Sequence, residues 1–250
     1  LDLAMQTYPW VQLVLFSELA PFGTGREFAQ TMPGPAEEQF QKMASQHGIW
    51  LLPGSMLQKR DGVILNTTPV INPDGEVVAR YSKLFPFYPY EEGISPGSEF
   101  CVFDIDNVGR FGVSICYDIW FPETTRSMAA MGAEVILHPV NTTFMDRDID
   151  ILMARAAAAA NQCQPNGVVF GRVDQWDGTA EHGRACGDGA ALLEKLAARG
   201  GVFAGVGLRL HGRGPGIVEA FQGDPGQRVA QDPLDAADMA QVRGGHERHR

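Results

Sequence analysis

The sequence predicts a mixed α/β (α+β) fold. The main evidence is residues 109–123, GRFGVSICYDIWFPE, in which a buried strand at 111–115 leads through Cys116 and a sharp turn into a helix that begins at Pro122. Proline suits a first helical turn because its φ is already helical and its missing N–H is not needed there. Two further stretches, a helix followed by a strand and a β-hairpin, indicate the same mixture of elements.

Residues 35–47 have the apolar spacing of an amphipathic helix, and Gly48 is a natural stop before a strand at 49–52. Residues 63–71 and 77–81 are strand-like and are joined by Asn-Pro-Asp-Gly. Proline followed by Asp and Gly is turn chemistry, so the pair is predicted to be a β-hairpin.

The other elements follow the same logic of apolar runs bounded by polar residues. Residues 11–16 are apolar except for one Gln and predict a buried strand, with Glu18 just beyond its carboxyl end. The chain after the cysteine stretch predicts strands at 134–138 and 168–173 and helices at 148–163 and 190–199.

Composition excludes several classes of function. The chain has 250 residues, of which 44% are hydrophobic, and a net charge of −10. This size allows one sizeable core, and the acidic balance makes nucleic acid and anionic membranes poor partners. No stretch approaches the roughly 18 apolar residues of a membrane span, and residues 1–10 lack the features of a secretory signal peptide. The basic residues near residue 250 are interpreted as a solvated tail.

The four cysteines form no CxxC pair, so neither a zinc site nor a disulfide framework is expected. Reduced thiols predict a cytoplasmic setting. Cys116 by itself is more simply a small buried side chain, although a strand-to-helix turn can stabilise a thiolate through backbone N–H groups and the helix dipole.

Three motifs together change the interpretation of Cys116. The octapeptide CYDIWFPE resembles the cysteine motif of the nitrilase superfamily, the carbon–nitrogen hydrolases. Residues 13–23, LVLFSELAPFG, resemble its glutamate motif, and residues 80–93, RYSKLFPFYPYEEG, its lysine motif, most closely in the amidase-like branch. The resemblance runs from about residue 5 to about residue 163. It implies a four-layer α-β-β-α sandwich of two mixed sheets with helices outside.

The resemblance also implies a Glu–Lys–Cys catalytic set. Glu18 would be the general base, Cys116 the nucleophile, and Lys83 with the backbone N–H of Tyr117 would stabilise an oxyanion. Glu91 stands where some members have a second glutamate, although the neighbouring Glu92 is an open alternative. No metal or organic cofactor is implied, because the thiolate does the covalent step.

Other residues are assigned to the pocket or to structural roles. Aromatic residues after Lys83 are expected to wall the pocket, and the loop after residue 138 to reach its rim. The pocket residues expected are Tyr88, Trp120, Asn141 and Phe144. Residues expected to be structural are His138, Asp118, Glu123 and Cys163.

The implied function is hydrolysis of a small linear, non-peptide amide through a cysteine thioester, with release of ammonia or an amine. Within the same chemistry, a nitrilase, an N-carbamoyl hydrolase or an amine-accepting transferase is the alternative. From another class, the chain would be an inactive remnant or a non-catalytic subunit. The expected partners are a small amide or nitrile and further copies of the chain, as a homodimer or larger oligomer.

The two ends depart from the family pattern. The chain begins within what resembles the end of the family's first helix, so we expect an N-terminally truncated domain whose missing first strand leaves neighbouring strand edges exposed. Residues 1–170 are predicted to be the hydrolase domain. Residues 171–250 hold 16 of the 29 glycines and lack clear alternation. We interpret them as a divergent extension or the product of a frameshift, with a disordered end.

Overall fold

The computed structural model of the chain describes most of the first 171 residues and two later strands. The described residues are 1–141, 147–161, 168–171, 203–210 and 218–223.

Four α-helices and twelve β-strands lie in the described ranges. In chain order they are α1 (Asp2–Thr7), β1 (Leu13–Phe16), β2 (Gln30–Thr31), α2 (Pro35–His47), β3 (Trp50–Leu52), β4 (Met56–Arg60), β5 (Val63–Ile71), β6 (Val77–Ser82), β7 (Cys101–Ile105), β8 (Gly109–Val113), α3 (Pro122–Ala130), β9 (Val135–Pro139), α4 (Arg147–Ala160), β10 (Val168–Gly171), β11 (Phe203–Leu210) and β12 (Val218–Gly223). Short 3-10 helices span Arg26–Phe28 and Cys116–Trp120.

The strands form two mixed sheets. The larger has the order β12-β11-β1-β3-β5-β4-β2, with β6 also paired to β5, and the smaller has the order β10-β9-β8-β7. In the larger sheet β1 runs parallel to β3, whereas β5 and β6 form an antiparallel hairpin. In the smaller sheet β8, β9 and β10 are parallel, and β7 pairs antiparallel with β8.

The two sheets pack face to face through one apolar cluster. Leu13 and Leu15 of β1 contact this cluster, which the smaller sheet completes with residues such as Phe111 and Leu137. Val14, between the two leucines, belongs to a different cluster on the opposite face. This alternation is the period of two expected of a strand that is buried on both faces.

Helices cover the outer face of each sheet. On the larger sheet, Phe40, Met43 and Ala44 of α2 pack in the cluster that contains Val14. On the smaller sheet, α3 and α4 contribute Met128, Ala154 and Ala158 to a cluster with Ile136 of β9. The layers are therefore helix, sheet, sheet, helix, which confirms the predicted four-layer α-β-β-α sandwich.

Local sequence signals located most of these elements. Helix α2 and strand β5 have the predicted bounds, and Gly48 ends α2 in the left-handed conformation with φ +62°. Strand β8 ends at Val113, two residues earlier than predicted. Strands β2, β4, β7 and β12 were not predicted. Strands β4 and β7 are only five residues long, and charged residues interrupt their apolar pattern, Lys59 and Arg60 in β4 and Asp104 in β7.

The position of strand β11 contradicts two expectations, that strand edges near the start of the chain are exposed and that residues 203–210 form no strand. The strand pairs antiparallel with β1 along Leu13–Phe16, on the side opposite β3, so both edges of β1 are hydrogen-bonded and not exposed. It also lies in a segment where no strand was predicted, since two glycines interrupt the alternation in FAGVGLRL. The helix expected at 190–199 and the tail lie outside the described residues.

The described ranges contain no helix with the combined length and apolar character that crossing a membrane requires.

Candidate active site

Glu18 lies just beyond the carboxyl end of β1, in a tightly packed turn. Glu18 is buried, with 5% of its surface exposed. The preceding carbonyl of Ser17 lies so close to Gly54 that a Cβ on Gly54 would stand 2.0 Å from the Ser17 oxygen. The next residue, Leu19, donates its N–H to Ser55 Oγ at 3.1 Å. The loop after β3 therefore holds the backbone on both sides of the carboxylate.

Lys83 follows β6 and is buried, with 1% exposure. Its Nζ donates to Glu18 Oε1 at 2.9 Å and to Glu91 Oε2 at 2.6 Å. Burial opposes its charge, but the negative charges of Glu18 and Glu91, and that of Cys116 when it is ionised, outweigh burial and hold the pKa of Lys83 well above its usual range. The side chain is therefore an ammonium with two acceptors among the described residues and a third N–H left over.

Glu91 reaches the same lysine from the loop after β6. Its Oε2 also accepts the backbone N–H of Phe87 at 2.6 Å. Glu92, the alternative left open by the sequence, also lines the cavity but makes no hydrogen bond or ion pair with Lys83. The structure thus places Glu91, and not Glu92, beside the lysine.

Cys116 is the first residue of the 3-10 helix that follows β8. Its φ of +46° lies in the left-handed region, which is unusual for a residue other than glycine. Buried Asp118 sets this turn: its carboxylate accepts the N–H of Ile115 at 2.8 Å, the N–H of Phe85 at 2.9 Å and the hydroxyl of Tyr81 at 2.7 Å. This is the structural role predicted for Asp118. Burial raises its pKa to about 6, although these hydrogen bonds favour the ionised form.

The protonation state of Cys116 differs from the one that the sequence suggested. The strand-to-helix turn pointed to a stabilised thiolate, whereas the structure favours the neutral thiol. Burial, and then the charge of Glu18, raise the pKa of Cys116 well above its usual range, while Lys83 and the backbone N–H of Asn141 act in the opposite direction. The Glu18 carboxylate, as an acceptor for the thiol proton, adds to this upward shift of the Cys116 pKa. Cys116 at rest is therefore a neutral thiol with a carboxylate beside it, because a strand-to-helix turn does not offset desolvation and a neighbouring carboxylate.

A cavity of about 450 Å³ opens above these groups. Its lining includes all four predicted catalytic side chains, Glu18, Lys83, Glu91 and Cys116, together with Asn141. The further lining residues are Leu19, Thr24, Gly25, Arg26, Leu57, Phe87, Tyr90, Glu92 and Ile94.

Two of the predicted pocket residues lie elsewhere. Tyr88 is 56% exposed and donates its hydroxyl to the Ile94 carbonyl, so Phe87 and Tyr90 of the same loop line the cavity instead. Trp120 donates its indole N–H to Asp150 of α4 at 2.9 Å and does not line the cavity. Phe144 lies outside the described residues.

The ring of Tyr117, whose backbone N–H the family resemblance assigns to the oxyanion, packs against Phe87 with 4.7 Å between ring centroids.

Buried His138 hydrogen-bonds to Ser114 at 2.8 Å, as expected of a structural residue. Burial, with the charge of Lys83, lowers the pKa of His138 to about 3. Cys163 is not described.

Asn66 is the residue at this site that sequence analysis missed. It lies on β5, is fully buried, and donates from Nδ2 to Glu18 Oε1 at 2.9 Å and to Glu91 Oε1 at 3.0 Å. The only local signal was a polar side chain within an otherwise buried strand.

Among the described residues, no group of three or more His, Cys, Asp or Glu side chains is arranged to hold a metal ion.

Solved structures share this architecture. A member of branch 10 of the nitrilase superfamily from Saccharomyces cerevisiae is 27% identical, with a TM-score of 0.60 over 70% of this chain and 68% of that one. An amidase from Nesterenkonia sp. AN1 is similar in fold, at 24% identity and a TM-score of 0.60 over 68% of each chain.

Curated relatives are similar in sequence. An omega-amidase of Xenopus laevis is 33% identical over 156 residues, which are 57% of this chain and 56% of that protein. A deaminated glutathione amidase of Yersinia enterocolitica is 33% identical over 165 residues, 60% of this chain and 56% of that protein. The chain thus spans about half the length of the curated relatives it matches. Residues 2–173 match the profile of the carbon–nitrogen hydrolase family, and the chain therefore belongs to this family, within the nitrilase superfamily.

Proposed function

We propose that the chain hydrolyses the C–N bond of a small linear amide through a thioester on Cys116. The observation that carries the proposal is that a thiol, a carboxylate and a buried ammonium line the same cavity. The similarity to an omega-amidase and a deaminated glutathione amidase supports an amide as the substrate.

The first step forms the thioester. Glu18 takes the proton of the Cys116 thiol as Sγ attacks the carbonyl carbon, which matches a neutral thiol that shares a cavity with a carboxylate. The carbonyl oxygen gains the electron pair and accepts hydrogen bonds from Lys83 Nζ, through its third N–H, and from the backbone N–H of Tyr117. Collapse breaks the C–N bond, and the departing ammonia or amine takes the proton from Glu18.

The second step releases the acid. Glu18, ionised again, takes a proton from water as the water oxygen attacks the thioester carbon. The second tetrahedral intermediate expels the Cys116 sulfur, which recovers its proton from Glu18, and leaves a carboxylic acid. Glu91 keeps Lys83 in place throughout, since its Oε2 lies 2.6 Å from Nζ. The residues proposed for the reaction supply every proton transfer, so the mechanism calls on no further group.

The test is ammonia release from simple aliphatic amides, monoamides of dicarboxylic acids, nitriles and carbamoyl compounds. Cys116→Ala should abolish release. Cys101→Ala is the matched control, because Cys101 is a buried core thiol outside the cavity. Preference for nitriles or carbamoyl compounds would favour a nitrilase or an N-carbamoyl hydrolase. Release that persists in Cys116→Ala, or none from the folded parent, would contradict the proposal, and the latter result would favour a non-catalytic subunit.

We further propose that the chain acts on small molecules in the cytoplasm, without nucleic acid or membrane partners, as a homodimer or larger assembly. The family resemblance supports the assembly, and the absence of CxxC pairs from the sequence supports a reducing compartment. Light scattering on the purified chain tests the assembly, and a monomer would contradict it. The division into a hydrolase domain at 1–170 and a divergent segment at 171–250 stays a prediction.

A further inference from the structure

Asn66 contacts Glu18, Lys83 and Glu91 from one position on β5. Its Nδ2 donates one hydrogen bond to Glu18 and one to Glu91, at 2.9 and 3.0 Å. Its backbone carbonyl accepts the N–H of Lys83 at 2.8 Å. A single buried residue therefore links the proposed base, the proposed oxyanion donor and the second glutamate.

The charges explain why a double donor is needed there. Two carboxylates share the one ammonium of Lys83, so these three groups carry one negative charge more than positive. Arg26 and Glu92 also line the cavity, and their opposite charges leave this difference unchanged. Repulsion and burial would both favour protonation of a carboxylate, which would remove the base. Two N–H donors from a neutral amide stabilise the ionised form of both carboxylates without adding a charge.

The orientation of the Asn66 side-chain amide indicates that its role is to donate to the two carboxylates and not merely to fill space within β5. Asn66 Oδ1 is buried and accepts no hydrogen bond from any described residue. Turning the amide over would point this oxygen at two carboxylates, so the observed orientation leaves the acceptor unsatisfied and keeps both donors on Glu18 and Glu91. A buried polar atom left without a partner is uncommon in native proteins and requires an explanation of this kind.

The contacts also divide the oxygens of Glu18. Both Asn66 and Lys83 donate to Oε1. Oε2 is therefore the oxygen left to take the proton of the Cys116 thiol. When Glu18 becomes neutral in that step, Asn66 and Lys83 remain anchored to Glu91, so the ammonium stays beside the developing oxyanion.

We propose that Asn66 is a positioning residue that keeps Glu18 and Glu91 ionised and directs Oε2 of Glu18 at Cys116. The inference rests on the proposed function of Glu18 as the base. It concerns the state of that base before substrate binds, and it is therefore measurable without turnover.

The experiment measures alkylation of Cys116 by iodoacetamide as a function of pH, in the full chain. Trypsin should release residues 111–126, a peptide with a single cysteine, for mass spectrometry. The variants are Asn66→Leu, which removes both donors, and Asn66→Asp, which keeps the shape but replaces the donors with a third carboxylate. Thr68→Val is the matched control, because Thr68 is equally buried on the same strand and lies outside the cavity.

We expect the acidic limb of the alkylation profile to move up by about one pH unit in Asn66→Leu, so that alkylation is about tenfold slower at pH values below the parent's limb. Asn66→Asp should be slower still, and Thr68→Val should keep the parent profile. A merely structural role would lower stability in all three variants and leave the limb in place. A folded Asn66→Leu with the parent's limb would overturn the inference.

If neither Asn66 variant folds, the parent itself supplies the test. Nuclear magnetic resonance of protein labelled with ¹⁵N-asparagine should show the Asn66 side-chain amide protons shifting through the same pH range as the alkylation limb. Amide signals that do not move there would overturn the inference. Ammonia release and its loss in Cys116→Ala test the proposed function separately, so failure of one proposal is distinguishable from failure of the other.

Discussion

Replacing Lys83 with Met tests the charge balance of the site most directly. Methionine keeps most of the length of the side chain but removes the ammonium that lies 2.9 Å from Glu18 Oε1 and 2.6 Å from Glu91 Oε2. At an effective dielectric constant of about 20, each contact represents roughly 6 kcal/mol of gross attraction. The cost of burying the ions offsets much of it, and breaking a buried pair lowers the free energy of unfolding by about 3–5 kcal/mol.

The pH dependence gives the sign of the effect. The raised pKa of Lys83 means that its contribution to stability is fully present below its unfolded value, about 10.4, and is lost only as pH rises through the higher folded value. The parent should therefore show no Lys83-dependent change in stability between pH 5 and 9. In Lys83→Met, two carboxylates remain without a cation, so the variant should recover stability as the pH falls and one of them is protonated.

The assay is urea unfolding of the parent, Lys83→Met and Lys59→Met at pH 5 and pH 8. Lys59 is the matched control, since it is an exposed lysine on β4. Ammonia release by Lys83→Met should also fall by about 10²–10³-fold, the usual effect of removing an oxyanion donor. A Lys83→Met chain that is as stable as the parent at pH 8 would refute the charge argument.

Two further predictions concern residues behind the site. Gly54→Ala should cost more stability and activity than Gly62→Ala, since both have φ near +80° but only Gly54 lies against Ser17; melting temperatures and ammonia release check this, and equal effects would contradict the close contact. The pKa of His138, about 3, lies below its unfolded value of about 6.5, so the free energy of unfolding falls as the pH drops below 6.5, by about 2 kcal/mol at pH 5. His138→Gln should lack that loss in urea titrations, and an unchanged pH dependence would contradict the assignment of a neutral buried imidazole.

Local signals were sufficient for the main elements and for the order of the proposed catalytic residues. Helix α2 follows from its apolar spacing and its glycine stop, and the β5–β6 hairpin from Asn-Pro-Asp-Gly. The three motifs placed Glu18, Lys83 and Cys116 each at the end of a strand, which is where the structure has them. These features are readable because turn residues and hydrophobic periods act over a few neighbouring positions.

Other features depend on residues far apart in the chain. Asn66 is 48 residues from Glu18 and 25 from Glu91, so no local pattern shows that its amide joins them. Tyr88 and Trp120 looked like pocket residues because they adjoin the motifs, but their polar atoms are bonded to Ile94 and Asp150. The pairing of β11 with β1 likewise joins residues almost 200 positions apart, and a glycine-rich strand gives little alternation to predict it.

The sequence by itself determined the family, the alternation of helices and strands, and which Glu, Lys and Cys are candidates for chemistry, because composition, periodicity and motif order are properties of the chain. Only the tertiary structure decided that Glu91 and not Glu92 meets the lysine, that Asn66 joins the two carboxylates, and that Cys116 is a neutral thiol at rest. Each of these depends on desolvation and on distances of about 3 Å between side chains from different strands, and packing alone sets both.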